Sequence, residues 1–121
     1  MKCPSARPTQ AVVHGNLVFV SGQLPIDPHT GKKRTGSIEE QTEQAIKNLF
    51  AILIAAGSDK EHVIKTTVYI SDITLWDRVN TVYAKLFGDH RPARAVVPTK
   101  DLHFGFQIEI ECTAVIKQFP S

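Results

Sequence analysis

Apolar residues fall on every second position from 106 to 117: Phe106, Ile108, Ile110, Cys112, Ala114 and Ile116 share one face, and Gln107, Glu109, Glu111, Thr113 and Val115 the other. That alternation predicts a long strand. Residues 62–70 alternate in the same way, with Ile64, Thr66, Val68 and Ile70 on one side and Val63, Lys65, Thr67 and Tyr69 on the other. Between 38 and 56 the period lengthens. Ile38, Thr42, Ala45, Ile46, Leu49, Ile52, Leu53 and Ala56 recur at three- and four-residue steps, which makes them one stripe of a helix. Ser37-Ile38-Glu39-Glu40 supplies its capping box, and Gly57 ends it. A second helix opens at Thr74-Leu75-Trp76-Asp77, buries Leu75, Val79, Val82 and Leu86, and stops at Gly88.

Upstream, Gln10-Ala11-Val12-Val13 and Leu17-Val18-Phe19-Val20 are β-prone runs joined through His14-Gly15-Asn16, a hairpin signal. The second run is apolar on both faces and so wants cover on each. From 21 to 36, Pro25, Pro28, Gly31 and Gly36 break any period and predict a loop, with Lys32-Lys33-Arg34 as a solvated turn. Residues 92–97 read as a short strand stopped by Pro98. The order hairpin, helix, strand, helix, strand, strand gives an α+β class, a mixed β-sheet with two helices packed on one face. The other face then carries Tyr69, Val63, Glu109 and Glu111, too apolar for water and too charged for a core. It is expected to meet another copy of the chain.

The 121 residues fit a single domain, 1–121, large enough to bury its own core. A formal charge of +2, from 14 basic and 12 acidic residues interspersed along the chain, gives no footprint that tracks a phosphate backbone. Nucleic acid is therefore not an expected partner. Cys3 and Cys112 lack CxxC spacing and the five histidines are scattered, so no metal and no cofactor is expected and both thiols are read as free. No stretch approaches the roughly eighteen apolar residues of a membrane span, and Met1-Lys2-Cys3-Pro4-Ser5 lacks the apolar core of a signal peptide. The expectation is a cytoplasmic protein with no membrane partner.

Candidate chemistry gathers at His90-Arg91-Pro92-Ala93-Arg94-Ala95-Val96-Val97 and at Glu109 and Glu111. An arginine among small residues at the mouth of a short strand can present its planar fork to a carboxylate, and a nearby glutamate can position water. The plain alternative is a surface arginine paired with Glu109 or Glu111.

These residues also carry a resemblance. Arg91-Pro92-Ala93-Arg94, with Glu109 fifteen positions after Arg94, resembles the signature of the RidA/YjgF family of reactive intermediate deaminases. Leu17-Val18-Phe19-Val20-Ser21-Gly22-Gln23-Leu24-Pro25, Ala55-Ala56-Gly57, Val63-Ile64-Lys65-Thr66-Thr67-Val68 and Val79-Asn80-Thr81-Val82-Tyr83 follow in family order. The resemblance runs from about residue 8 to residue 116. It implies a chorismate mutase-like fold and a homotrimer, with three sheets wrapped into a central barrel and a pocket at each subunit boundary. It further implies hydrolysis of enamines and imines, such as 2-aminoacrylate and 2-iminopropanoate, to 2-keto acids and ammonia. These substrates are released by pyridoxal-phosphate enzymes, which gives the family a functional link to them. By the same resemblance Arg94 binds the substrate carboxylate and Glu109 positions water. Ser21, Gly22 and Asn80 line the pocket, and the Val96 backbone approaches the substrate nitrogen.

The sequence also departs from the pattern. Arg7-Pro8-Thr9 stands where such proteins usually have Gly-Pro-Tyr, so Thr9 keeps a pocket hydroxyl but loses the ring. Val96 replaces a frequent cysteine, and Pro98 a common glutamate. Two other functions compete with the deaminase: a non-catalytic trimer that senses keto acids or binds a partner, and a ribonuclease or translation inhibitor. The last lacks a histidine pair and a basic groove.

Overall fold

Gly15 and Asn16 fold the N-terminal runs into a hairpin. In the computed structural model, which describes residues 10–117, Gly15 takes φ 61° and His14 faces Leu17 across the two-residue turn. Glycine meets that left-handed requirement at no steric cost. The hairpin strands are β1 (Ala11–His14) and β2 (Leu17–Gln23); β3 (Val63–Ile70), β4 (Ala93–Pro98) and β5 (Ile108–Val115) complete a sheet of order β1-β2-β5-β3-β4. All neighbours are antiparallel except β3 and β4, which run parallel.

Two bulges change what alternation alone predicts. Residues 21–36 read as loop, yet β2 continues through Ser21 and Gly22 to Gln23. One extra residue between the pairs Val20–Cys112 and Gln23–Ile110 lets it stay on β5. In β3, Val63 pairs with Ala114 and Lys65 with Thr113, so Ile64 is the inserted residue. The expected placement of Val63 on the outer face is therefore corrected: Val63 turns into the core at 1% exposure, and Ile64 is 48% exposed.

Helix α1 (Ile38–Ala55) starts at the expected Ser37, whose Oγ accepts from the Glu40 amide at 3.1 Å, while the Glu40 carboxylate pairs with Arg34 at 3.6 Å instead of closing the capping box. It buries Ile38, Thr42, Ala45, Ile46, Leu49 and Leu53 against the sheet. Helix α2 (Trp76–Phe87) starts differently from the expected Thr74 box. Asp72 Oδ1 accepts from the Thr74 amide at 2.9 Å and caps a short 3-10 turn, Ile73–Leu75, that leads into the helix. Its buried stripe is Val79, Tyr83 and Phe87, whereas Leu75, Val82 and Leu86 are only half-buried. Aromatic rings take the inner positions because they bridge the gap to α1 and β3: Phe87 meets Phe50 edge-on at 5.1 Å and stacks on Tyr83 at 4.5 Å.

The result is one core between the helices and a single face of the sheet. Val18, Val68, Ile70, Ile108, Ile110 and Ala114 are fully buried there. Among the described residues nothing covers the other face, where Phe19 remains 43% exposed beside Tyr69, Glu109 and Glu111. The α+β layering expected from the sequence is what the structure shows.

Candidate active site

Strand β4 pairs only with β3, and its register sets Arg94 beside Thr66 on the helix-covered face. Trp76, Asn80 and Tyr83 stand at i, i+4 and i+7 of α2, so one helix face presents all three to Arg94. The guanidinium lies 4.6 Å from the Trp76 ring centre and 4.8 Å from that of Tyr83. Its Nη1 donates to Asn80 Oδ1 at 2.9 Å. Tyr83 is fixed in turn by a 2.8 Å hydrogen bond between its hydroxyl and that of Thr66. Cation–π contacts of this kind contribute about 0.5–1 kcal/mol each at partly exposed sites, enough to hold the planar group in one orientation.

What Arg94 lacks is an anion. Among the described residues Arg34 holds Glu40 and Arg78 holds Glu39, but no carboxylate lies within ion-pair distance of Arg94. The alternative of a surface pair with Glu109 or Glu111 is thereby removed. Asn80, read from sequence as either a surface amide or a pocket residue, is the group that orients the guanidinium.

Glu109 lies on the opposite face, between the inward-facing Ile108 and Ile110 and paired with Tyr69 of β3. Its carboxylate rests over the bulge in β2: a Cβ added to Gly22 would stand 2.1 Å from Glu109 Oε2. Only glycine leaves that space, which explains the residue type. Burial raises the Glu109 carboxyl above its ordinary value; the charge of His103 opposes the shift and that of Glu111 adds to it. Tyr69 donates to Glu111 Oε1 at 3.0 Å, and burial followed by this bond raises the phenol. Ser21, at the same bulge, donates its hydroxyl to the Gln10 carbonyl at 3.1 Å.

The residues singled out in the sequence thus fall into two groups. Arg94 and Asn80 meet on the helix side of β4, with Val96 two residues further along the same strand. Glu109 meets Gly22 at the bulge of β2, with Ser21 next in the chain and bonded to Gln10. Two strand spacings separate the groups by nearly 10 Å across the sheet, and the offset from Arg94 to Val97, level with Glu109, adds about 10 Å along it. Thr9 lies outside the described residues. Trp76 and Tyr83 were not found by sequence reasoning, although their spacing with Asn80 on one predicted helix was a usable signal.

Two cavities flank these groups. The larger, about 590 Å³, lies between α1 and the end of β2 with the loop that follows; Ser21, Gly22 and Asp27 line it, and neither Arg94 nor Glu109 does. Its buried amide is already committed: Asn48 Nδ2 donates to the carbonyls of Leu24 and Ile26, at 3.1 and 2.8 Å. The smaller, about 400 Å³, is walled by Asn80, Tyr83, Phe87, Arg91, Pro92 and Arg94. The smaller one holds two arginines, Arg91 and Arg94, that make no ion pair among the described residues. The Cys112 thiol, free and buried, is pushed up to about 12 by burial and then by the charge of Glu111, so it is inert as a nucleophile at neutral pH.

The chain as a whole resembles known proteins. A family model described as endoribonuclease L-PSP matches residues 3–116. The chain belongs to this family, the RidA/YjgF family. Among its relatives, a RutC family protein of Pyrococcus horikoshii is 45% identical over 106 residues, 88% of this chain and 84% of the relative. The human 2-iminobutanoate/2-iminopropanoate deaminase is 40% identical over 107 residues, 88% of this chain and 78% of that one. The crystal structure of Escherichia coli TdcF with bound serine superimposes with a TM-score of 0.87 at 34% identity, covering 93% of this chain and 90% of that one. The layering of a RidA/YjgF protein is thus shared well beyond the residues of the site.

Proposed function

We propose that this RidA/YjgF protein hydrolyses 2-imino acids, such as 2-iminopropanoate, the imine tautomer of 2-aminoacrylate, to 2-keto acids and ammonia. The observation that carries this reading is Arg94, a guanidinium oriented by Asn80 and two aromatic rings and left without a carboxylate among the described residues. A substrate carboxylate fits that fork as a bidentate pair. The human relative named as an imine deaminase and the Escherichia coli relative with bound serine support the same class of ligand.

Hydrolysis then needs little more than a placed water. Glu109, more basic than an ordinary carboxylate, accepts a proton from water as the water oxygen bonds to the protonated imine carbon and the C=N pair moves to nitrogen. The protonated Glu109 returns that proton to the amino group of the carbinolamine. The C–N bond breaks with its electron pair going to nitrogen, the hydroxyl oxygen closes the keto C=O as its proton passes to Glu109 and from there to the departing ammonia, and ammonium leaves.

Because Arg94 and Glu109 lie on opposite faces of one sheet, the site is completed by another copy: the outer face of one protomer meets the β4 edge of the next, in a homotrimer. Phe19, Val12 and Val97, exposed by 43, 55 and 36%, supply the apolar part of that contact. Pyridoxal-phosphate enzymes that eliminate from serine or threonine are the source of substrate. The nuclease reading is disfavoured because, among the described residues, no histidine lines the cavity beside Arg94 to act as acid or base.

The test is imine decay in the presence of a threonine dehydratase turning over threonine or serine, with semicarbazide as the trap. The wild-type chain is expected to shorten the lifetime of the imine, and Arg94→Ala to abolish the effect. A keto-acid sensor would bind pyruvate through Arg94 and leave the decay unchanged, which would overturn the deaminase.

A further inference from the structure

We infer that the Arg94 cavity is built for imino acids with a second carboxylate on the side chain, and that Arg91 is the residue that recognises it. This rests on the deaminase reading for the role of Arg94. Four arginines lie among the described residues. Arg34 and Arg78 each hold a glutamate; Arg91 and Arg94, the two that line the 400 Å³ cavity, hold no carboxylate among the described residues. Among the described residues of the protomer no acidic side chain lines that cavity either. Two cations line this cavity, and the Glu109 that the proposed assembly brings from the next copy offsets one of them; the single positive charge left matches the protonated imine of an acidic amino acid, which carries a net charge of about −1, whereas that of alanine or serine is neutral.

The geometry favours a short dicarboxylate. Arg91 and Arg94 are three residues apart, and an extended chain spans at most about 10 Å over that distance, so both guanidiniums can close on carboxylates separated by two or three carbons. Arg91 is also anchored. Its Nη1 donates to the Gly88 carbonyl at the end of α2 and, at 3.2 Å, to that of His90. Its Nη2 and Nε have no partner among the described residues and remain for a ligand. The walls between the two arginines, Tyr83, Phe87 and Pro92, are apolar enough to strengthen both ion pairs. The imines that fit are those of aspartate and glutamate, the products of dehydrogenation of acidic amino acids, and hydrolysis releases a dicarboxylic keto acid and ammonia.

The test compares kcat/KM for the imine made by an L-aspartate oxidase with that for the imine made by a threonine dehydratase. The wild-type chain is expected to favour the dicarboxylate. Arg91→Gln should lower the ratio of the two efficiencies by on the order of tenfold to a hundredfold, chiefly through KM, as expected for one charge-assisted contact. Arg91→Glu loses the same anchor at Gly88 but adds repulsion, so it should lower the ratio further, while Arg91→Lys should restore part of it. A purely structural role at the end of α2 would move both efficiencies together and leave the ratio alone, which would overturn the inference. Calorimetry with succinate and with pyruvate separates this from failure of the deaminase reading. Tighter succinate binding that is lost in Arg91→Gln supports the site even if neither imine is turned over, and equal binding of the two acids refutes it.

Discussion

Replacing Gly22 by alanine should disable the chemistry while leaving the fold in place. A Cβ at residue 22 would stand 2.1 Å from Glu109 Oε2 and 2.8 Å from its carboxyl carbon, where ordinary contact begins at 3.4 Å. The carboxylate must therefore retreat by about 1.3 Å, and as the far end of a flexible side chain it can do so by rotating. The backbone raises no objection, because Gly22 is not among the residues with positive φ. Alanine also narrows the unfolded ensemble by about 0.4–1 kcal/mol, so net stability should change by less than about 1 kcal/mol. Catalysis is less tolerant: a displacement of about 1 Å in the group that delivers water costs on the order of a hundredfold in rate, about 2.7 kcal/mol. Imine decay and urea unfolding, measured on the same samples, separate the two effects. In the double variant with Glu109→Gln the losses should not add, since both act through one carboxylate. Full activity in a folded Gly22→Ala protein would show that the position of Glu109 over the bulge does not matter for the reaction.

Arg94→Lys should fail nearly as badly as Arg94→Ala in the same decay assay, because an ammonium keeps the charge but neither the fork nor the stack on Trp76 and Tyr83. The acid limb of kcat/KM should lie above the ordinary glutamate value of 4.5, since burial raises Glu109, and should vanish in Glu109→Gln. The same raised value means that the folded chain disfavours the ionised carboxylate: the associated stability is present below the unfolded value and lost as pH rises through the folded one. Glu109→Gln should therefore stabilise at neutral pH and not at pH 4, as read by urea unfolding at the two pH values. Phe19→Asp places a charge on the uncovered face and should weaken the proposed self-association by on the order of a hundredfold, seen as a fall to monomer mass in light scattering. Ser37→Ala removes the acceptor for the Glu40 amide and should cost about 1 kcal/mol in unfolding free energy, with no effect on imine decay per folded molecule.

Much of this architecture was legible because periods are long-range averages. The eight-residue alternation of β5 and the five-turn stripe of α1 survive any local irregularity, and a two-residue Gly-Asn turn leaves little choice of hairpin. What failed were single-residue events. The inserted Ile64 reverses the face of Val63, and the extra residue near Ser21 turns expected loop into strand; neither leaves a mark in composition, because a bulge is fixed by the partner strand. The inner stripe of α2 was misread for another reason. Tyr83 and Phe87 lie on the face that must reach furthest, and ring size, not hydropathy alone, decides which residues fill it.

The site was legible as residue types and not as an arrangement. Strand β4 reads Ala93, Arg94, Ala95, Val96, Val97, with no alternation from which to tell the face of its arginine. Only its parallel register on β3 does that, by setting Arg94 beside Thr66 and under the rings of α2, while Glu109 follows the alternation of β5 to the other side. An oriented cation on one face and a raised carboxyl on the other are the two halves of the deaminase site proposed above. In one sheet the halves stay apart, whatever the side-chain rotamers, because neither can pass through a hydrogen-bonded layer that is buried on its inner face. The uncovered outer face, the exposed β4 edge and the separated groups therefore make one argument: self-association would cover the apolar surface and close the site in the same step. A monomeric variant that kept full imine hydrolysis would break that link, since it would require Arg94 or Glu109 to act alone.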